Sequence, residues 1–334
     1  MAEKAVVDPA YWAGKHVVIT GATGFLGGWL AARLLGYGTK VTAIVRRERP
    51  ESQFDLAGLR GQCRIVAGDA AAKETVQAAF DGGRVDAAFH LAADSDVEHA
   101  YKFPAESYRS AIDSTLNLLE VVRTSQPHCA VVTSSSDKAY GPQEVPYRES
   151  KNLAPRHPYE VAKAAQDLMT QSHGKVYGLP VAVTRCANYF GGWDFNWHRI
   201  IPGTIRSIMA GEQVTLRSDG KFTRDFLYIE DAVDTQLILT QHLPTNPALR
   251  GEAFNFSHEV DIEILAIVRR LCDLMDYRGE PQINATAQAE IRFMQVNSDK
   301  ARQMLGWQPR FDFDAALAAT VAWYRDYLAK NSKR

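Results

Sequence analysis

Six short apolar runs punctuate the first 190 positions: HVVIT (16–20), KVTAIV (40–45), CRIVAG (63–68), VDAAFHLAA (85–93), HCAVVTSS (128–135) and LPVAVTR (179–185). Each is too continuous for a strand with one wet face and too short for a helix, so each predicts a strand buried on both sides. Between most of them the apolar residues recur at helical spacing, as in FLGGWLAARLLGYG and SAIDSTLNLLEVVRTS. Strands joined by helical crossovers form right-handed βαβ units, and hence an α/β fold with a doubly wound parallel sheet. After about residue 190 the pattern loosens into loops rich in glycine, proline and tryptophan, with a few strands and several helices. Residues 1–190 are therefore expected to form the sheet domain, with some later segments returning to it. Residues 191–334 are expected mainly to form a smaller lobe over the carboxyl edge of the sheet, where such folds bind ligands.

Composition changes this picture little. The chain has 334 residues, 46% hydrophobic and 23% charged, enough for two cores. Its 38 basic and 39 acidic side chains leave a net charge of -1, which argues against nucleic acid or a membrane surface as partner. Cys63, Cys129, Cys186 and Cys272 lie far apart without metal-ligand spacing, so they read as thiols in a reducing compartment, with no metal site. The opening MAEKAVVDPAYW lacks the apolar run of a signal peptide, and no stretch approaches the roughly 18 apolar residues of a membrane span. A soluble, cytoplasmic protein is the expectation.

The first strand runs directly into TGATGFLGGWL, where Gly21, Gly24 and Gly27 precede a helix that should begin near Phe25. Glycine lets the backbone turn tightly and approach a pyrophosphate, which the helix N-terminus then stabilises. This predicts a Rossmann-type dinucleotide site. An acidic residue at the end of the second strand would meet the ribose hydroxyls of NAD, but the chain has Arg46 and Arg47 there. Two guanidiniums favour the 2′-phosphate of NADP, or else they are solvated strand-end charges beside NAD. Asp69, after the third strand, is placed either to meet the adenine or to cap the next turn.

A tyrosine four residues before a lysine on one helix shares a face with it, and the ammonium can draw the phenol down from its usual pKa near 10. The spacing occurs three times: Tyr11/Lys15, Tyr147/Lys151 and Tyr159/Lys163. The first contains Gly14 and the second lies among prolines. Only Tyr159/Lys163 opens an uninterrupted helix, PYEVAKAAQDLMTQSH, started by Pro158. The fifth strand ends in VVTSSSDKAYG, setting Ser136, Asp137 and Lys138 at the same sheet edge.

Together TGATGFLGG, HLAADSDV, the serine-rich fifth strand, YEVAK, RCANYFGG, RDFLYIEDAV and SDKARQMLGWQP resemble the extended short-chain dehydrogenase/reductase family that acts on nucleotide sugars. The resemblance covers nearly the whole chain. Ser136-Asp137-Lys138 resembles the arrangement of the 4,6-dehydratases, in the Asp-Lys form of the CDP-glucose enzymes, as does GGWDFNWHRIIP (191–202). RDFLYIEDAV is closer to the epimerases, and Ala111 and Ser114 stand where the family commonly has asparagine and glycine. A nucleotide-sugar epimerase therefore remains the alternative.

The resemblance implies a tightly bound, recycled NAD or NADP held by Gly21, Thr23, Gly24, Phe25, Leu26, Gly27, Arg46, Arg47, Asp69, Ala70, Leu91, Ala92 and Ala93 together with Tyr159 and Lys163. It implies a nucleotide diphosphate sugar held by Ser95, Asn188, Arg199, Arg224 and Arg292, and a homodimer. For Arg224 the competing role is a salt bridge to Asp225 or Glu230, and Trp193 and Trp197 either stack on a base or pack the lobe. In the implied reaction Tyr159, helped by Lys163 and Ser136, takes the proton of the C4 hydroxyl while C4 is transiently oxidised. Asp137 is cast as acid and Lys138 as base for loss of the C6 hydroxyl. A lysine with the ordinary pKa of about 10.4 is a poor base, so desolvation must depress it, and the demands on acid and base fit a pair sharing one proton better than two independent groups.

Overall fold

The computed structural model describes residues 5–94, 96–286 and 291–331. Five helix-connected strands and a sixth form most of one parallel sheet: β1 His16–Thr20, β2 Lys40–Val45, β3 Arg64–Ala67, β4 Ala87–His90, β5 Ala130–Ser134 and β6 Val181–Cys186. The seventh strand, Glu252–Phe256, arrives from the second half of the chain and pairs with β6 in parallel. The spatial order is Glu252–Phe256, β6, β5, β4, β1, β2, β3. Strand order reverses between β1 and β4, and that switch point opens a crevice at the carboxyl ends.

The continuous apolar runs are explained by two separate cores. Val17 and Ile19 of β1 face one side with Trp12, Leu30 and Phe89, while Val18 faces the other with Val76, Leu118 and Val131. A strand flanked by helices on both faces must be apolar at every position, not at alternate ones.

The smaller lobe is held by short ladders. Asn188–Phe190 pairs with Phe226–Tyr228 in parallel, and Thr223–Arg224 pairs with Ile262–Glu263 antiparallel. Trp193 packs on Trp323 at 4.9 Å between ring centroids, and Trp197 on Tyr324 at 5.9 Å, both in the helix Phe313–Asn331. The tryptophans therefore serve lobe packing. Among the described residues no helix is long and apolar enough to cross a membrane.

Candidate active site

At the end of β1 the backbone of Gly21 takes a φ of +76°, and a Cβ there would lie 2.9 Å from Ala92 N and Leu91 C. A Cβ on Gly27 would run into Gly21 O. Gly24 is the N-cap of the helix Phe25–Gly36, and no side chain caps that helix start. Its first N–H groups, with the positive end of the helix dipole, are thus presented to the crevice. A close, side-chain-free turn on a helix terminus without a side-chain cap fits a dinucleotide pyrophosphate. Thr23, Phe25 and Leu26 lie in the same turn and first helical residues. Arg46 and Arg47 are exposed at the end of β2, and Arg46 Nη1 lies 3.4 Å from Asp69 Oδ2. Asp69 Oδ1 also accepts the Ala71 N–H, so it braces its own turn. The neighbouring Ala70 carbonyl, with that of Ala71, receives the Asn117 amide from the long helix Pro104–Ser125. Leu91 and Ala92 donate their N–H groups to Thr20 Oγ1, which joins the turn after β4, including Ala93, to the glycine turn.

The turn after β5 holds the opposite charges. Ser136 caps a short 3₁₀ helix, Asp137–Tyr140, by accepting the Lys138 N–H, and its hydroxyl donates to Asp137 Oδ1 at 3.0 Å. Asp137 is 2% exposed, and its Oδ2 meets no hydrogen-bond partner among the described residues. Burial pushes its carboxyl up to about 6, against the opposing pull of Lys138 and Ser136. Lys138 Nζ lies 5.7 Å from the centre of the Tyr159 ring.

Tyr159 and Lys163 lie on the helix Pro158–Tyr177, whose start is fixed by His157 and Glu160 in a capping box. Burial drives the Tyr159 phenol up to about 12, with the Ser136 hydroxyl acting in the other direction. The sequence spacing predicts that Lys163 draws this phenol down; in the structure the ammonium donates to Ser134 O at 2.7 Å and to Gln166 Oε1 at 3.2 Å. Burial lowers Lys163 to about 8, opposed by Asp167 and Asp94. The two rival tyrosine–lysine pairs are structural. Lys15 sits over the ring of Tyr11 at 4.4 Å, while the buried Tyr147 donates to Gly141 O and Lys151 to Glu144 O.

One pocket is lined by Lys138, His157, Tyr159, Glu160, Arg224 and Met294. Arg224 forms its wall, donating to Thr223 O at 2.8 Å and lying against Phe222. Asp225 accepts backbone N–H groups from Val260, Asp261 and Val296, and Glu230 joins Arg33 and Arg310. Other sugar-site candidates spread more widely. Arg292 reaches Asp219 at 2.9 Å and lies 5.6 Å from the Phe222 ring, and Asn188 donates to Asp225 O. Arg199 pairs with Asp194 and lies 6.0 Å from the Phe25 ring, on the side of the glycine turn. Ser95 lies outside the described residues. Sequence reasoning missed His157, Glu160 and Met294. The first two carry a legible signal, since a glutamate three residues after the residue that precedes a helix is the spacing of a capping box.

The family model for GDP-mannose 4,6 dehydratase matches residues 18–320. The CDP-glucose 4,6-dehydratase of Salmonella typhimurium is 27% identical, over 97% of this chain and 94% of its own. The dTDP-glucose 4,6-dehydratase of Streptomyces griseus is 30% identical, over 93% and 94%. Among solved structures, the dTDP-glucose 4,6-dehydratase of Streptomyces venezuelae with NAD bound has a TM-score of 0.84 at 23% identity, covering 94% of this chain and 98% of that one. The UDP-glucose 4-epimerase of Thermotoga maritima has the same TM-score and identity, over 94% and 99%, so the fold alone is common to both reactions.

Proposed function

Since the chain belongs to the GDP-mannose 4,6 dehydratase family, we propose that it is a nucleotide-sugar 4,6-dehydratase, converting an NDP-hexose to the NDP-4-keto-6-deoxyhexose with bound NAD or NADP. In this reading residues 1–190, joined by Glu252–Phe256, carry the dinucleotide, and residues 191–334 mainly carry the nucleotide sugar. The turn of Gly21, Gly24 and Gly27 would hold the dinucleotide, which would supply reversible hydride transfer at the sugar and leave the net reaction redox-neutral. The protein's own residues handle protons and position.

The observation that carries the proposal is the Asp137 carboxyl: buried, with Oδ2 lacking a partner among the described residues, and next in the chain to Lys138, whose ammonium faces the Tyr159 ring. A carboxyl held up to about 6 keeps its proton further towards neutrality than an ordinary aspartate. We assign it as the donor to the departing C6 hydroxyl. Lys138 takes the C5 proton, which a ketone at C4 has made acidic. The two act as a pair exchanging one proton, because each stabilises the charged form of the other. Tyr159 takes the C4 hydroxyl proton, with Ser136 oriented toward both Asp137 and Tyr159. Arg224, on the pocket wall, is assigned to the diphosphate; Asn188, Arg199 and Arg292 remain assigned to the nucleotide sugar around it.

The test is mass spectrometry of the products after incubation with CDP-, dTDP-, GDP- and UDP-hexoses and added NAD or NADP. Loss of one water from one of them is the expected result and names the base. Unchanged mass with a shifted retention time would make the protein an epimerase and leave Asp137 and Lys138 as binding residues.

A further inference from the structure

Lys163 does not stand alone on its helix. We propose that Gln166 is its positioning residue: it accepts one N–H of the ammonium and holds it against Ser134 O, at the end of a hydrogen-bond chain that runs through Thr115 and His90 to Thr20, the residue before the glycine turn. The proposal rests on the reading that Lys163 belongs to the catalytic set.

The chemistry of the donors fixes the direction of the links at Gln166. Lys163 can only donate and the Ala92 carbonyl can only accept, so the Gln166 amide must turn its oxygen to Lys163 and its nitrogen to Ala92 O, at 3.2 Å. Its nitrogen also lies 3.1 Å from both Thr115 Oγ1 and His90 Nε2, so the second N–H is shared between the threonine and the histidine edge. The Thr115 hydroxyl donates to Ala111 O at 2.7 Å, which assigns His90, 2.9 Å away, as the Nε2–H tautomer donating to it. His90 Nδ1 then accepts from Thr20, whose oxygen receives the Leu91 and Ala92 N–H groups. Every hydrogen finds an acceptor with His90 neutral, and burial holds that imidazole down to about 3. Gln166, Thr115, Thr20 and His90 are all at most 1% exposed, so water cannot replace a lost link. An ammonium has three N–H donors, and the two bonds to Ser134 and Gln166 leave one for the site above. The neighbours that bear on the Lys163 charge are Asp167 on its own helix, Asp94 beyond β4 and His90 on β4. From the long helix comes the uncharged Thr115, and from the turn after β5 the ionisable Asp137 and Lys138.

A merely structural glutamine would not move the titration of Lys163 in opposite directions when replaced in two ways. Gln166→Met removes an acceptor from the ammonium and Gln166→Glu gives it a carboxylate. NADH binding followed by fluorescence from pH 6 to 10 reads the loss of the charge-assisted donor as the lysine deprotonates, and kcat for dehydration gives a second alkaline limb. We expect each limb to move down by about one pH unit in Gln166→Met and up by about as much in Gln166→Glu. Unmoved limbs in folded variants, or a shift of the same sign in both, would overturn the proposal. If Gln166→Met does not fold, the sign of the Gln166→Glu shift decides alone. Wild-type protein that binds NADH yet dehydrates no hexose nucleotide would defeat the dehydratase reading while leaving the shift in binding readable.

Discussion

Two buried aspartates, Asp137 and Asp167, lie against the same sheet and are treated in opposite ways. Asp167 is fully buried and saturated: Arg185 donates to both of its oxygens, at 2.7 and 3.0 Å, and continues to the Tyr140 hydroxyl, which donates to Asn255. That network ties the Tyr159 helix to β6, to the 3₁₀ turn and to the returning strand Glu252–Phe256. Asp137 is also buried, but among the described residues its carboxyl receives a hydrogen bond from Ser136 and its Oδ2 is left without a partner. A carboxylate whose lone pairs are all occupied is a strut. One held short of partners is poised to carry a proton, and it is costly to ionise.

The contrast can be broken from either end. Removing the strut should have the largest effect: Asp167→Ala leaves the Arg185 charge buried without its partner and should cost about 3–5 kcal/mol of stability in urea unfolding. Asp137→Asn should do the reverse, lowering kcat for dehydration by about 10²–10³-fold, some 3–4 kcal/mol, while urea stability at pH 7 does not fall.

The same variant tests the linkage sign. Because the folded-state carboxyl is raised to about 6, it binds a proton more tightly in the folded chain than in the unfolded one. Its contribution to stability is present in full below the ordinary carboxylate range and is lost as pH rises through about 6. Wild-type stability relative to Asp137→Asn should therefore decline by up to roughly 3 kcal/mol between pH 4 and pH 7. A flat difference would mean that Asp137 ionises in the fold as easily as outside it. The smallest effect belongs to the surface: Arg46 and Asp69 form a 3.4 Å pair with both side chains well exposed, and Asp69→Asn should change the urea midpoint by less than about 1 kcal/mol equivalent.

What the sequence by itself determined was wherever one local rule is decisive. The continuous apolar runs set β1 to β6, because strands covered on both faces admit no polar alternation. The spacing of Gly21, Gly24 and Gly27 set the turn, because a side chain at Gly21 or Gly27 would strike backbone. Uninterrupted helical residues after Pro158 picked Tyr159 and Lys163 out of three equal spacings. Tertiary structure decided the rest. The segment EAFNF carries Glu252 and Asn255 in a short run, and it becomes the sheet's edge strand only by pairing with β6, far back in the chain. Asp137 and Lys138 look like any charged pair in a loop until burial strips water from one of them. Above all, the direction of the Lys163 ammonium was not legible: helical spacing places it beside Tyr159, but Ser134, 29 residues earlier in the chain, and Gln166 hold it. Spacing along a helix is local geometry, whereas the aim of a long side chain is set by whichever buried acceptors the fold brings within reach.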